Sequence, residues 1–371
     1  MYQIRKWLKI LILKKSFLFV AFFSLFFRKK KIDFLNSKLK VGILFLKPLG
    51  FGDLIMLSPV IKILEKIFKN SEIYLITWIP EIIQFEKIKL ISKKNAQKEK
   101  FDLLISPTLN LHHLFYIFKA KYWLGYFGGT KVQSNFSFEK YRYNSRSEHF
   151  LMRGVGIISN FDEKEGEKFE GEIKRKSVLY PELELEEPEI FQKLKNKKYL
   201  VLAPFSNYEE RWWPFSYFSK VIRGLLEKKV IEKVIIVGGK ADWEKEKLKS
   251  FWGNFREKEK NYFLDLVGKI NLKELSFLIK NSSLYLGLDS GPAHLAYALS
   301  PKSAVVFVSV DPLSRKPLVE NPNRNIVCFR PQNYPNFPPY SGLYRPDFKK
   351  CQNYALTISP EKVLYEILNL F

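Results

Sequence analysis

What most constrains the fold of this 371-residue chain is an alternation, met twice, of short buried-type β runs with helical stretches. In the first half, VGILFLK (41–47) leads through a glycine loop into a helical pattern from about 53 to 69. EIYLIT (72–77) and FDLLIS (101–106) repeat the strand signal, and residues 147–158 read as helix. Short apolar runs rich in β-branched residues suit strands covered on both faces. The second alternation begins at YLVLA (199–203), passes a helix near 215–228, and continues with KVIIVGG (233–239). A helix over 271–282 has Asn271 and Glu274 at capping-box spacing. LYLGL (284–288), a helix from 291 and AVVFVS (304–309) follow, and Ser359, Pro360 and Glu361 open a last helix.

Strand–helix alternation implies parallel sheets with helices on both faces. Between the halves, VLYPELELEEPEIFQKLKNKK (178–198) carries two prolines and a run of glutamates, the composition of a linker. The expected division is a basic hydrophobic segment (1–38), a first Rossmann-like domain (39–180), a linker (181–198), a second Rossmann-like domain (199–345), and a tail with a helix (346–371). Two such domains enclose a cleft, and ligands of these sheets bind beyond the carboxyl ends of the strands.

Composition narrows the function classes. An apolar content of 46% with 27% charged residues excludes disordered and collagen-like chains. Cys328 and Cys351 stand in unrelated contexts without CxxC. That excludes a disulfide scaffold and a cysteine zinc site and fits a reducing compartment. Four histidines without HExxH make a poor metal centre, so no metal site is expected.

The net charge of +24 calls for a polyanionic partner: nucleic acid, an anionic membrane surface or a phosphorylated substrate. No nucleic-acid recognition module is present, so nucleic acid is not expected. Residues 1–40 hold eleven Lys/Arg against Asp33 alone. Within them SFLFVAFFSLFF (16–27) lies between Lys14–Lys15 and Arg28–Lys31. A span needs about 20 apolar residues, so this run is too short, and no cleavage site follows. An uncleaved segment lying on an anionic membrane surface is the expectation; a helix packed on the protein body is the alternative.

Three motifs fall at strand ends. In LKPLGFGDLIMLSP (46–59), Gly50 and Gly52 allow a tight turn and close approach of a ligand, and Asp53 stands where a helix begins, as general base or as cap. In APFSNYEERWWPFSYF (203–218), Ser206, Asn207 and Arg211 offer donors beside paired tryptophans, to clamp a phosphate or merely to line a loop. In LDSGPAHLAYAL (288–299) a strand ends and a helix starts at Gly291–Pro292. That is a ready anion site or a structural turn, with His294 one turn inside.

In this order the three motifs resemble those of the ADP-heptose:lipopolysaccharide heptosyltransferases, glycosyltransferase family 9. Lys47, Gly52–Asp53 and Pro59 match the first family motif, Arg211–Trp212–Trp213–Pro214 the second, and Asp289–Ser290–Gly291–Pro292–Ala293–His294 the third. SEHFLMRGVGI (147–157) is similar to the family's His-containing helix. The chain departs from the pattern at Phe205, which occupies a glycine position, and at VSVDP (308–312), which keeps only Asp311 and Pro312.

The resemblance implies a GT-B architecture, two doubly wound Rossmann-like domains facing across a cleft. It further implies an inverting transferase moving a sugar, expectedly heptose from ADP-heptose, to a lipid-linked lipopolysaccharide core. Asp53 would be the base. Ser206, Arg211, Asp289, Ser290, Gly291 and His294 would bind the donor diphosphate, and Lys47, Gly52 and His149 would lie on the acceptor side. Asp242 or Glu244 would touch sugar or ribose. The reaction would need no metal or other cofactor, and the enzyme would sit peripherally on the inner face of the cytoplasmic membrane. The alternatives are a related transferase with another nucleotide sugar or glycan acceptor, and a non-catalytic nucleotide-sugar or lipid-binding protein.

Overall fold

The computed structural model describes residues 37–46, 49–79, 82–107, 116, 120–127, 130–133, 151–178, 180–316, 325–332 and 348–371. The amino-terminal apolar run, Lys47 and His149 lie outside the described residues. The chain divides into two compact units: residues 1–81, 85–181 and 340–343 form the first, and residues 82–84, 182–339 and 344–371 the second.

In the first unit the strands are β1 (Lys40–Phe45), β2 (Glu72–Thr77), β3 (Ile88–Ile91), β4 (Phe101–Ser106), β5 (Ala120–Phe127) and β6 (Thr130–Gln133). They lie in the order β3-β2-β1-β4-β5-β6. All neighbours are parallel except the antiparallel pair β5–β6. Helix α1 (Phe51–Ile67) follows β1 directly and carries Pro59 inside it. Proline removes the amide that would bond to the carbonyl four residues back. Ser58 compensates, its hydroxyl donating to that Ile55 carbonyl at 2.6 Å. The other longer helices of this unit are α2 (Met152–Ile158) and α3 (Glu163–Lys174), α3 being capped by the Asp162 side chain. Gly154 lets α2 lie close on α1, since a Cβ there would fall 2.2 Å from Val60 Cγ2.

The second unit repeats the plan with β7 (Tyr199–Ala203), β8 (Lys233–Ile236), β9 (Phe263–Asp265), β10 (Leu284–Leu288), β11 (Lys302–Val306) and β12 (Asn325–Phe329). Their order is β12-β11-β10-β7-β8-β9, parallel throughout. The longer helices are α4 (Phe215–Glu227), α5 (Asp242–Trp252), α6 (Leu272–Lys280), α7 (Gly291–Leu299), α8 (Phe348–Leu356) and α9 (Pro360–Leu368). The capping box read at Asn271 and Glu274 is present: Asn271 accepts from the Glu274 amide and Glu274 from the Asn271 amide. Every residue of β7 and β10 is buried, which is why both read as unbroken apolar runs.

Residues 182–198 pack into the second unit rather than hanging free. Phe191 meets Phe277 edge-on at 4.9 Å, and Glu184 pairs with Lys273. The carboxyl-terminal residues belong there too, with the indole N–H of buried Trp213 donating to the Ile358 carbonyl at 3.0 Å.

Both sheets have the doubly wound order in which the first strand lies between the second and the fourth. The chain therefore reverses its winding beside β1 in one unit and beside β7 in the other. Such switch points open a crevice at the strands' carboxyl ends. All three sequence motifs leave the sheets there: the first after β1, the second after β7 and the third after β10.

Candidate active site

In the second unit the loop after β7 and the start of α7 after β10 are brought side by side, because β7 and β10 pair with Ala203 opposite Gly287. Arg211, at the end of the short 3-10 turn Glu209–Arg211, bridges them. Its Nη1 lies 3.0 Å from Asp289 Oδ2 and donates to the Asp289 carbonyl at 2.8 Å. Both side chains are nearly enclosed, 12% and 5% exposed. A buried carboxylate and carbonyl thus hold the guanidinium in one orientation over the switch point, and Tyr208 covers its face with the ring centroid 4.9 Å from Cζ.

The neighbouring helix start is arranged for an anion. Ser290 is the N-cap of α7 but makes no side-chain cap bond, and Pro292 contributes no amide. The remaining first-turn amides and the helix dipole present partial positive charge at the same strand end as Arg211. His294, one turn in, is buried and packs edge-on to Tyr297 at 5.7 Å. Burial pushes the Tyr285 phenol well above its usual value, with Ser290 against it, and the absence of a side chain at Gly287 leaves room for that hydroxyl. Ser206 is also buried; its hydroxyl accepts from the Tyr208 amide at 3.4 Å and its carbonyl from the Trp212 indole at 2.8 Å.

Asp242 and Glu244 part company. Asp242 is fully exposed at the start of α5 and pairs with Lys245 at 3.4 Å. Glu244 is buried against the Gly238–Gly239 turn, where its carboxylate lies 2.8 Å from the place a Gly239 Cβ would take. Burial raises its pKa despite a bond from the Gly239 amide. Phe205 fills part of the same corner, its ring 3.0 Å from the Cβ place at Gly238. The family's glycine position is therefore occupied here by a core aromatic that also packs edge-on to Phe215 at 6.0 Å.

In the first unit Asp53 occupies the third position of α1. Its Oδ2 accepts from the Gly50 amide at 2.9 Å, so the carboxylate does close the helix start. Gly50 itself needs no glycine-only backbone conformation. Its φ of −101° and ψ of 176° are ordinary extended values, and a Cβ there would meet only Asp53 Oδ2, at 3.9 Å.

Tyr208, Tyr285 and Trp243, which stacks on the motif residue Trp212 (6.1 Å, 22°), join the site without having been singled out in the sequence. Tyr208 precedes Arg211 by three residues inside a matched motif, the only local hint. Among the described residues, no group of three or more His, Cys, Asp or Glu is placed to hold a metal ion.

A doubly wound pair of α/β units with such a site defines a class, the GT-B glycosyltransferases. Among solved structures, the chain is similar to the ADP-heptose lps heptosyltransferase II of E. coli, with a TM-score of 0.65 at 13% identity over 89% of this chain and 98% of that one. The chain belongs to glycosyltransferase family 9 (heptosyltransferase), whose family model matches residues 93–340. It is 24% identical over 326 residues to lipopolysaccharide heptosyltransferase 1 of Campylobacter coli, covering 72% of this chain and 84% of the relative. It is 25% identical over 338 residues to lipooligosaccharide heptosyltransferase 2 of Campylobacter jejuni, covering 87% and 97%.

Proposed function

We propose that this glycosyltransferase moves heptose from ADP-heptose to a lipid-linked lipopolysaccharide core, with inversion at the anomeric carbon. The observation that carries the reading is the Arg211–Asp289 pair, which presents an oriented guanidinium beside an amide-rich helix start at the switch point of the second sheet. An acceptor hydroxyl attacks the anomeric carbon and passes its proton to Asp53, while the bond from that carbon to the diphosphate oxygen breaks and ADP leaves. Arg211 and the first-turn amides of α7 take up the charge growing on the diphosphate. One cation about 4 Å away contributes roughly 4 kcal/mol at an effective dielectric of 20.

In this reading Ser206, Asp289, Ser290, Gly291 and His294 shape the diphosphate pocket, and Glu244 rather than exposed Asp242 faces the ribose. Lys47, Gly52 and His149 serve the acceptor, and the enzyme works without a metal at the inner face of the cytoplasmic membrane. Supporting the donor are the family membership and the shared fold with the E. coli ADP-heptose enzyme. The test is transfer from a panel of nucleotide sugars to a delipidated heptose-deficient core oligosaccharide in the presence of EDTA, read by mass of the product. ADP-heptose should be the donor consumed, and product of inverted configuration should form. Transfer from a different nucleotide sugar alone, or transfer only after metal is restored, overturns the corresponding part.

A further inference from the structure

Strand β10 reads LYLGL, and every residue of it is buried. An apolar side chain would serve the core at 285, yet the chain carries a tyrosine there, enclosed at 0% exposure. Buried tyrosine hydroxyls ordinarily find a partner. On the neighbouring β7, Tyr199 does so, its O–H donating to the Leu278 carbonyl at 2.9 Å. The Tyr285 oxygen makes no hydrogen bond among the described residues. The strand also gives up a side chain to make way for it. Residues 285 and 287 share one face of the strand, and a Cβ at Gly287 would fall 2.4 Å from the Tyr285 oxygen. Glycine weakens a strand interior, and its presence there marks a close approach. Tyr285 thus leans over Gly287 toward the carboxyl end of β10.

What the phenol reaches is Ser290, which stands against it. The two oxygens do not meet in hydrogen-bond geometry, and the Ser290 hydroxyl is likewise buried without a partner among the described residues. A serine at a helix start normally accepts from an amide of the first turn. Here Pro292 has no amide, and the Ala293 amide donates to the Ser290 carbonyl at 3.1 Å. Two hydroxyls therefore stand idle, one behind the other, at the start of α7 beside the Arg211–Asp289 pair. A buried hydroxyl left without a partner destabilises the ligand-free fold. A ligand oxygen at the helix start would satisfy both. Ser290 turns its proton outward to that oxygen, and its own oxygen is then free to accept from Tyr285. Hydrogen bonds linked in this way strengthen one another.

We infer that Tyr285 is a positioning residue of the diphosphate site: its O–H donates to Ser290 Oγ and aims the serine proton at a phosphoryl oxygen. That role rests on the reading of the α7 start as the diphosphate-binding end of the donor site. It adds a residue outside the three motifs and gives the buried, unbonded phenol a task.

The experiment compares wild type, Tyr285→Phe, Ser290→Ala and the double variant. Titration calorimetry with ADP and with inorganic pyrophosphate reads binding, and thermal melts without ligand read stability. Tyr285→Phe keeps the ring and removes only the hydroxyl. It should weaken binding of both probes about five- to tenfold, the scale of one hydrogen bond. In the Ser290→Ala background the same change should cost less than about twofold, because the phenol acts through the serine. Without ligand, Tyr285→Phe should melt at or above the wild-type temperature, since no hydrogen bond is lost. Unchanged affinity in Tyr285→Phe overturns the inference and leaves the ring a core filler. Equal losses in the two backgrounds overturn it as well, and so does a lower melting temperature of Tyr285→Phe. Failure of the diphosphate reading looks different: neither probe would bind the wild type, and Tyr285 would have no diphosphate to serve. Pyrophosphate tests Tyr285 whichever nucleoside the donor carries.

Discussion

At the scale of single residues, Asp53 closes the start of α1, and its proposed role as base can be told apart from that cap. An asparagine at 53 keeps an oxygen to accept from the Gly50 amide but has no basic carboxylate. Asp53→Asn should therefore leave the melting temperature and ADP affinity unchanged while lowering turnover by about 10²–10⁴-fold, the usual worth of a general base. Asp53→Ala should in addition lose about 0.5–2 kcal/mol of stability with the cap. Turnover assays and denaturant melts on the two variants check both statements.

Arg211 calls for a similar separation. Its removal takes away the proposed diphosphate contact and also strands the buried Asp289 carboxylate, 5% exposed. Arg211→Ala should weaken ADP binding at least about tenfold and cost about 3–5 kcal/mol of stability, the penalty of a buried charge left unpaired. The double variant Arg211→Ala/Asp289→Asn should recover most of the stability and none of the affinity, by denaturation and calorimetry respectively.

At the scale of elements, the position of α1 depends on how closely α2 lies on it. Alanine is a better helix former than glycine by about 1 kcal/mol. Gly154→Ala should nevertheless destabilise the first unit, because its Cβ would fall 2.2 Å from Val60 Cγ2, and overpacking costs typically 1–3 kcal/mol. Urea unfolding should show the loss, and Gly154→Ala/Val60→Ala should regain much of it.

In the second unit Arg223 on α4 grips Glu259 through two bonds, of 2.7 and 3.2 Å. The Arg223 bond, with help from the Arg256 amide, holds the Glu259 carboxyl down at about 2, against an ordinary 4.5. A depressed folded-state pKa stabilises fully above the unfolded value and is lost as pH falls. The melting temperature should thus decline from about pH 4.5 to about 2 partly through this group, and Glu259→Gln should flatten that part of the profile.

The elements also mark where local pattern reading succeeds. β7, β8 and β10 were legible because strands covered on both faces are unbroken apolar runs. β3, with exposed Lys89 inside IKLI, and β9, only three residues long, offer no such run. α5 (DWEKEKLKSFW) is mostly charged, so only its buried Glu244, Leu248 and Phe251 reveal an inner face.

For the whole molecule, charge and placement matter more than any one contact. The amino terminus is the most basic stretch, with eleven cations against Asp33 in residues 1–40 out of a net charge of +24 for the whole chain. If the lysines and the run 16–27 bind an anionic leaflet, deleting residues 1–31 should abolish sedimentation with anionic vesicles. Full-length binding should weaken with salt, since the attraction fades beyond a Debye length of about 8 Å. Transfer to a delipidated acceptor should persist after the deletion, because the three motifs begin after residue 45. Unfolding of the truncated chain, or undiminished vesicle binding, would identify the segment as structural.

What the sequence by itself determined is everything that depends on neighbours along the chain. The doubled β/α alternation, the helix starts at Asn271 and Ser359, and the presence of Asp53, Arg211 and His294 at strand ends are all local. The tertiary structure alone decided which strand ends meet. Arg211 and Asp289 stand 78 residues apart and touch only because β7 and β10 are neighbours in the sheet. The Trp78 indole reaches the Leu49 carbonyl, 29 residues away, only because β2 lies beside β1. Hydrophobic periodicity states which face of a strand is buried but not which strand lies beside it. That choice is made by the packing of the whole sheet, and with it the pairing of the functional side chains.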